Sequence, residues 1–250
     1  MSIECQNIDR IAPTRLPSGP VVMYHRWVDL LFLHWPVPVE MLRPLIPAGL
    51  EIDTFEGVAY IGLVPFTMTK LRPWWGPPVP GLSNFHETNV RTYVHNKGRD
   101  PGVWFFSLDA AQSIAVKIAR VFWDLPYFRA RMKMEHESDG SIVCSSERLW
   151  PGPLPGICNA KYRPEGAPTA AKPGTLEHFL VERYILYAYS HSRLRLGRVH
   201  HSSYPLQSAR LDFLEENLIA VNGIERPDTK PIIQYASEVQ VRVFGLESVS

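Results

Sequence analysis

The amino-acid sequence predicts a mainly β, α+β fold, one domain of largely antiparallel strands with a few short helices, and three observations predict it. The 23 prolines of this 250-residue chain stand at punctuating positions such as Pro36, Pro38, Pro44, Pro47, Pro65, Pro126 and Pro205, which excludes most long helices. Short β-like runs recur between those breaks, separated by turn residues. The composition, 45% hydrophobic and 20% charged, is that of a chain able to bury a real core, at a length that barrels often reach undivided. The domain spans residues 1–250, with 1–20 an irregular N-terminal arm.

Taken in chain order, "VEMLRPLIP" is a proline-limited helix of about two turns. "EIDTF" and "VAYIGLVPF" are strands, followed by the irregular stretch "LRPWWGPPVPGLS" over 71–83. That stretch, with two tryptophans among Pro and Gly, either lids a cavity or plugs one end of the barrel, and the plug is the favoured reading. "NVRTYV" and "GVWFFSLD" continue the sheet. "AAQSIAVKIAR" is a helix, N-capped by Asp109 with Gln112 at capping-box spacing. Its Ala111, Ile114, Ala115 and Ile118 form one apolar stripe to lie on a sheet. "RARMKMEHE" and "SIVCSSERL" are strands. "TLEHFLVERY" starts at a threonine cap and turns Leu176, Phe179 and Leu180 inward. "ERYILYAYS" and "RLRLGRVHH" are strands, "SARLDFLEENL" is a fourth helix with Leu211, Leu214 and Leu218 on one face, and "IQYASEVQVRVF" closes the sheet.

Several functional classes are disfavoured at once. Lys plus Arg total 26 against 25 carboxylates, a net charge of +1, so there is no field to attract nucleic acid. Cys5, Cys144 and Cys158 form neither a disulfide framework nor a zinc ribbon, which fits a reducing cytoplasm. The start shows no signal peptide. The most apolar run, "WVDLLFLHWPVPV", is too short and too polar to span a bilayer, so no membrane partner is expected. Nine histidines include no His-Glu-x-x-His, and His200 and His201 fall on opposite strand faces, so no metal is expected. The nucleophile elbow, the P-loop and the dinucleotide fingerprint are missing, and no cofactor is expected.

The strand "NFHETNVRTYVHN" carries the most chemistry. Alternation puts Phe85, Glu87, Asn89, Arg91 and Tyr93 on one face. Such a face is either solvated or lines a polar cavity. The opposite face is only half apolar, which is not the pattern of a simple surface strand, and favours the cavity.

The ordered segments "PVEMLRPLIPAGLEIDTFEGVAYIGLVPF", "NFHETNVRTYV", "GVWFFSLDA", "LEHFLVERYILYA", "HHSSYPLQSA" and "IQYASEVQVRVF" together resemble the YqjF-like family of bacterial proteins, from Val22 to Phe244. That family is similar to a branch of the acetoacetate decarboxylase superfamily. The resemblance implies a curved antiparallel β-barrel or cone with a central cavity, and self-association into a homo-oligomer. The decarboxylase carries Gly-Arg-Glu-x-x-x-x-Pro-Lys-Lys, with the Schiff-base lysine after the proline. Set against it, "ARVFWDLPYF" puts Arg120 on the arginine and Pro126 on the proline, while Tyr127 and Phe128 replace the two lysines. A phenol forms no iminium, and of the seven lysines only Lys117, on the preceding helix, is placed to approach. Glu87 stands where the superfamily has a cavity carboxylate, whereas its N-terminal substrate arginine is matched by Arg26 only with a gap.

The expectation is a cavity that binds a small carbonyl or carboxylate compound and moves protons in lyase-like acid-base chemistry without a Schiff base. Glu87 would be base or acid and Tyr127 a donor to a developing enolate. Arg91 or Arg120 would hold a carboxylate, with Asn89, Tyr93 and Trp123 completing the binding set. The alternatives are a non-catalytic binding protein, to which the aromatic load of Trp74, Trp75, Phe105, Trp123, Tyr127 and Phe128 is suited, and plain core packing of Trp123, Tyr127 and Phe128 around a decayed site.

Overall fold

The run that is most apolar in sequence becomes the longest shared wall of the molecule. The computed structural model describes residues 8–190 and 193–249, except the side chains of residues 115, 118, 119, 121, 122 and 190. Its strands are β1 (Val21–Val37), β2 (Glu51–Ile52), β3 (Ala59–Pro73), β4 (Phe85–Asn96), β5 (Arg99–Ala110), β6 (Tyr127–His136), β7 (Ile142–Trp150), β8 (Ile157–Thr169), β9 (Ile185–Ser190), β10 (Arg193–His200), β11 (Leu206–Glu216) and β12 (Ile232–Ser248). The helices are α1 (Val39–Leu42), α2 (Ser113–Phe122), α3 (Leu176–Val181) and α4 (Leu218–Val221), with 3-10 turns at Ala12–Thr14 and Arg43–Leu45. None of the described helices is long and apolar enough to cross a membrane.

All twelve strands belong to one curved, cone-like sheet in the order β10-β9-β5-β6-β7-β8-β11-β12-β1-β3-β4-β2, with further pairings of β10 to β12 and β5 to β4. Pairing is antiparallel except where β5 meets β6 and β9. Two strands branch. Near its end β5 pairs Leu108–Ala110 with β6, and earlier it pairs Val103 and Trp104 with β9. Similarly, β12 gives Gln234–Ala236 to β11 and Arg242–Ser248 to β10. The pairings therefore run in a circuit through β1, β3, β4, β5, β9, β10 and β12, while β6, β7, β8 and β11 fold back over the outside of β1 and β3.

That arrangement creates two main cores with β1, β3 and β4 between them. Leu30, Phe32, Val64, Phe66, Phe85 and Tyr93 pack into the inner core, whereas Leu31, Leu33, Trp35, Ile61, Leu63 and Val90 pack outward against Ile142, Ala160 and Tyr162 of the overlying strands. Strands covered on both faces read as continuous apolar runs rather than as alternation. Trp35 is fully buried and its indole Nε1–H donates to Thr229 O at 3.0 Å, so even its polar edge is satisfied.

Backbone irregularities set which side chains face the inner core. In β1 the pairing with β3 slips between Val28 and Leu33, where Asp29 has φ of 54°. Odd residues (His25, Trp27) face inward before it and even residues (Leu30, Phe32) after it, the parity change a β-bulge imposes. Strand β3 does the same at Lys70 (φ 55°), passing from Val64, Phe66 and Met68 to Leu71.

Four sequence expectations are corrected. The helix expected over "SARLDFLEENL" is strand β11 followed by the short α4. Its register slips between Leu211 and Phe213, so the bulge turns a strand's spacing of two into the spacing of three that imitates a helix. The segment around Trp74 and Trp75 is not a plug, because the two indoles are 64% and 74% exposed. Asp109 does not cap α2 but lies at 0% exposure within β5; the cap is Gln112, whose Oε1 accepts from Ile114 N at 2.6 Å. On α2, Ile114 is exposed and Val116 buried, while the side chains of Ala115 and Ile118 lie outside the described residues, as does all of Cys5. The threonine cap of α3 is as expected, with Thr175 Oγ1 accepting from His178 N at 3.3 Å.

The parallel contact of β5 with β9 leaves no room for a side chain at Gly102, where a Cβ would stand 2.6 Å from Ile185 O. Gly102→Ala is expected to destabilise the fold by about 1–3 kcal/mol. Urea unfolding should show a lower midpoint at unchanged slope; an unchanged midpoint would mean that this junction tolerates separation.

Candidate functional site

The inner core is not filled. It holds a partly open cavity of about 420 Å³, the size of a small-ligand pocket. The inward face of β4 supplies Phe85, Glu87, Asn89 and Arg91, the alternation read from the sequence. β1 supplies His25, Trp27 and Leu30, and β3 supplies Val64, Phe66 and Met68. Val79, Leu82 and Ser83 of the loop after β3 also line it, so this loop borders the cavity while its tryptophans face out.

Tyr127 reaches the cavity because the turn from α2 into β6 is tightly held. Asp124 takes φ of 45°, Leu108 N donates to Pro126 O at 2.9 Å, and Tyr127 N donates to Leu125 O at 2.8 Å. Arg120 then clamps the strand start, its Nη1 donating to Tyr127 O at 2.6 Å. Tyr127 Oη donates to Glu87 Oε2 at 3.0 Å. The phenol's only hydrogen is committed to the carboxyl, and Glu87 Oε1 makes no hydrogen bond among the described residues. Trp123 and Leu125, from the same turn, line the cavity as well.

Burial governs the electrostatics. Glu87 is 3% exposed, and desolvation raises its carboxyl from an ordinary 4.5 to about 8, with the Tyr127 hydrogen bond opposing and the Asp109 charge assisting. Burial and the neighbouring Glu87 push the Tyr127 phenol well above its ordinary value. His25 falls to about 3, by burial and the nearby His201, so it is neutral at any ordinary pH. Asp109, on the outward face of β5, meets Arg148 in a bidentate pair with both oxygens at 2.7 Å, and the guanidinium lies 3.7 Å from the Phe128 ring centroid.

Arg91 differs from these paired charges. Among the described residues no carboxylate pairs with it; its Nη2 donates to Leu180 O at 3.2 Å, its Nε is buried without a partner, and its guanidinium carbon stands 5.6 Å from the Phe32 ring centroid and 5.8 Å from that of Tyr93. Asn89 likewise has a buried Oδ1 without a partner. Buried polar atoms are seldom left so.

The structure thus brings Glu87, Tyr127, Asn89, Arg91 and Trp123 to one cavity. Two other expected site residues stand apart. Arg120 is spent on the Tyr127 carbonyl and stacks 5.6 Å from Trp150, so it positions Tyr127 from outside the cavity. Tyr93 lies beneath the floor, its Oη donating to Leu180 O at 2.6 Å and meeting His34 Nε2 at 2.7 Å. Arg26 points away to Glu238 at 3.0 Å, and the lining residues include no lysine, Lys117 being exposed. Sequence reading missed His25 and Trp27, whose inward orientation follows from the β1 bulge, and Arg148, whose partner Asp109 is distant in sequence.

Comparison with known proteins follows the same lines. The family DUF2071, described as "Uncharacterized conserved protein", matches residues 24–240. The "Uncharacterized protein YqjF" of Bacillus subtilis (strain 168) is 39% identical over 235 residues, covering 94% of this chain and 96% of that protein. The chain belongs to this family. Among solved structures, the enduracididine biosynthesis enzyme MppR complexed with pyruvate superposes with a TM-score of 0.63 at 14% identity, over 95% of this chain and 93% of that one. An acetoacetate decarboxylase from Legionella pneumophila gives 0.61 at 13%, over 94% and 90%. These likenesses show the acetoacetate decarboxylase-like fold.

The raised Glu87 value has a consequence for stability. Its neutral form favours the folded state, so its contribution is full below about pH 4.5 and is lost as pH rises through about 8. Between pH 5 and 9 the wild-type Tm is expected to fall more steeply than that of Glu87→Gln, by about 3–10 °C. Parallel melting curves across that range would show that burial does not shift this carboxyl.

Proposed function

We propose that this DUF2071 protein binds a small carbonyl or carboxylate compound in the inner cavity and moves protons on it through Glu87. The observation that carries the reading is the pair itself. A buried carboxyl with a value of about 8 populates both its acid and its base form near neutral pH, the condition under which general acid-base catalysis is most effective. Tyr127 holds Oε2 at 3.0 Å, leaving Oε1 to accept a proton from a carbon beside a carbonyl and to return it. Arg91 supplies a permanent positive charge for a carboxylate, Asn89 an unpartnered amide oxygen, and Trp123 an apolar wall. That a protein of the same fold is seen with pyruvate, a carbonyl acid, agrees with this ligand class.

The chemistry is of the lyase type and does not pass through a Schiff base, since the lining residues include no lysine. We place the protein in a reducing cytoplasm, in keeping with the buried free thiols of Cys144 and Cys158 on the paired strands β7 and β8, and take it to self-associate. A non-catalytic binding role is the second reading, and the predominantly apolar lining favours it.

The test is exchange of the protons beside the carbonyl in D2O, followed by NMR for a panel of oxo acids. Wild type is expected to exchange them at a rate that rises with pH and levels off above about 8. Glu87→Gln should lose about 100-fold or more, and Tyr127→Phe should lose less, with the inflection displaced. Full exchange by Glu87→Gln removes this residue from the chemistry. A ligand that stabilises the wild type yet is recovered without exchange establishes the binding role instead.

A further inference from the structure

Arg91 and Glu87 lie on the same face of one strand, four positions apart, and β4 keeps unbroken register with β3 across this stretch: Glu87 opposite Phe66, Asn89 opposite Val64, Arg91 opposite Gly62. At about 3.4 Å per residue their Cα atoms are roughly 13 Å apart. The guanidinium does not lean back toward the carboxyl. Leu180 O, which accepts the Tyr93 hydroxyl at 2.6 Å, also accepts Arg91 Nη2 at 3.2 Å, so Arg91 is drawn toward the Tyr93 end of the strand, away from Glu87.

The opposite strand makes room for it there. A Cβ on Gly62 would stand 3.0 Å from the His34 ring and 3.4 Å from Arg91 Cγ. The absent side chain thus leaves space for the His34 ring, with the Arg91 stem in ordinary contact beside it. Between the two polar poles the walls are apolar, with Leu30, Val64 and Leu108 around the unpartnered Asn89.

We infer that the ligand is an oxo acid whose carboxylate, held at Arg91, is separated from its reacting carbonyl, held at Glu87, by a chain of about five bonds or more. The inference rests on the proposed function and narrows it. Because Arg91 is drawn away from Glu87, the roughly 13 Å between Cα atoms understates the gap between the poles; with a hydrogen bond of about 3 Å at each pole, on the order of 7 Å or more is left for the ligand itself. In a 2-oxo or 3-oxo acid the carboxylate and carbonyl are one or two bonds apart, and such a molecule engages one pole only. A longer chain engages both and fills the apolar interval.

The experiment is calorimetric titration of wild type at pH 6.5 with pyruvate, acetoacetate, 4-oxopentanoate, 6-oxoheptanoate and 8-oxononanoate, repeated with Arg91→Gln. The expected result is tightest binding by 6-oxoheptanoate or 8-oxononanoate, at least tenfold tighter than pyruvate or acetoacetate. Arg91→Gln should erase that preference, while the carboxylate-free ketone 2-hexanone binds wild type and variant equally. The wild-type series decides the matter even if a variant folds poorly. Tightest binding by the two shortest acids overturns the spacing while leaving the Glu87 proton chemistry to stand on its exchange assay. Equal binding of the series by wild type and well-folded Arg91→Gln overturns the anchor. No binding by any member, together with absent exchange, overturns both this inference and the function on which it rests.

Discussion

Over most of their length, three strands of this protein have no solvent side. β1, β3 and β4 separate two cores, and their side chains alternate between an inner cluster around Phe32 and Phe66 and an outer one around Leu33 and Leu63. On an ordinary antiparallel strand, polar residues can be discarded to water on one face. Here a polar side chain must find a partner inside or remain exposed to a cavity, because burying it otherwise is costly. Thr92 solves this by donating to Tyr60 O at 2.8 Å, and Tyr93 by its bond to Leu180 O. Glu87 is only half satisfied, and Asn89 and Arg91 retain unpartnered atoms. The cavity is where the double-sided wall leaves its polar residues, which is why the site and the core cannot be varied independently.

The bulges supply the second half of the architecture. Asp29 can hold a left-handed backbone within β1 because its side chain is tied down, accepting from Tyr235 Oη at 2.7 Å and meeting His136 Nε2 at 2.9 Å. Those partners come from β12 and β6, on either side of the outer core. Fixing this one conformation turns His25 and Trp27 into the cavity and, beyond it, Leu31 and Leu33 away from it. The outer core thus determines the composition of the inner wall through a single residue.

The same devices explain what the sequence disclosed. The face Phe85, Glu87, Asn89, Arg91 was legible because β4 is free of bulges against β3 and its polar residues mark the period of two. β1 gave no alternation, since both of its faces are apolar, and β11 imitated a helix because its bulge inserts one residue between Leu211 and Leu214. Asp109 stood at the right distance to cap α2, and only the long-range approach of Arg148 shows that its charge is used otherwise. Tyr127 was identifiable from the place of Pro126, but the commitment of its hydrogen to Glu87 needed the parallel pairing of Leu108 with Tyr127, a contact that leaves no periodic trace.

The two charged residue types of the cavity respond to burial in opposite ways, and this gives the site its polarity. A carboxyl escapes the cost of desolvation by taking up a proton, as the value of about 8 for Glu87 records. A guanidinium has no such escape, because it does not lose its proton in a protein. Arg91 instead spreads its charge over the Phe32 and Tyr93 rings and one backbone carbonyl. At neutral pH the inner wall therefore presents a mostly neutral acid at one end and an uncompensated cation at the other. An entering anion lowers the cost of the buried cation, whereas an entering cation or a second neutral group does not. The charge asymmetry of the cavity then follows from burial alone, with the neutral acid and the cation set apart by their positions along β4.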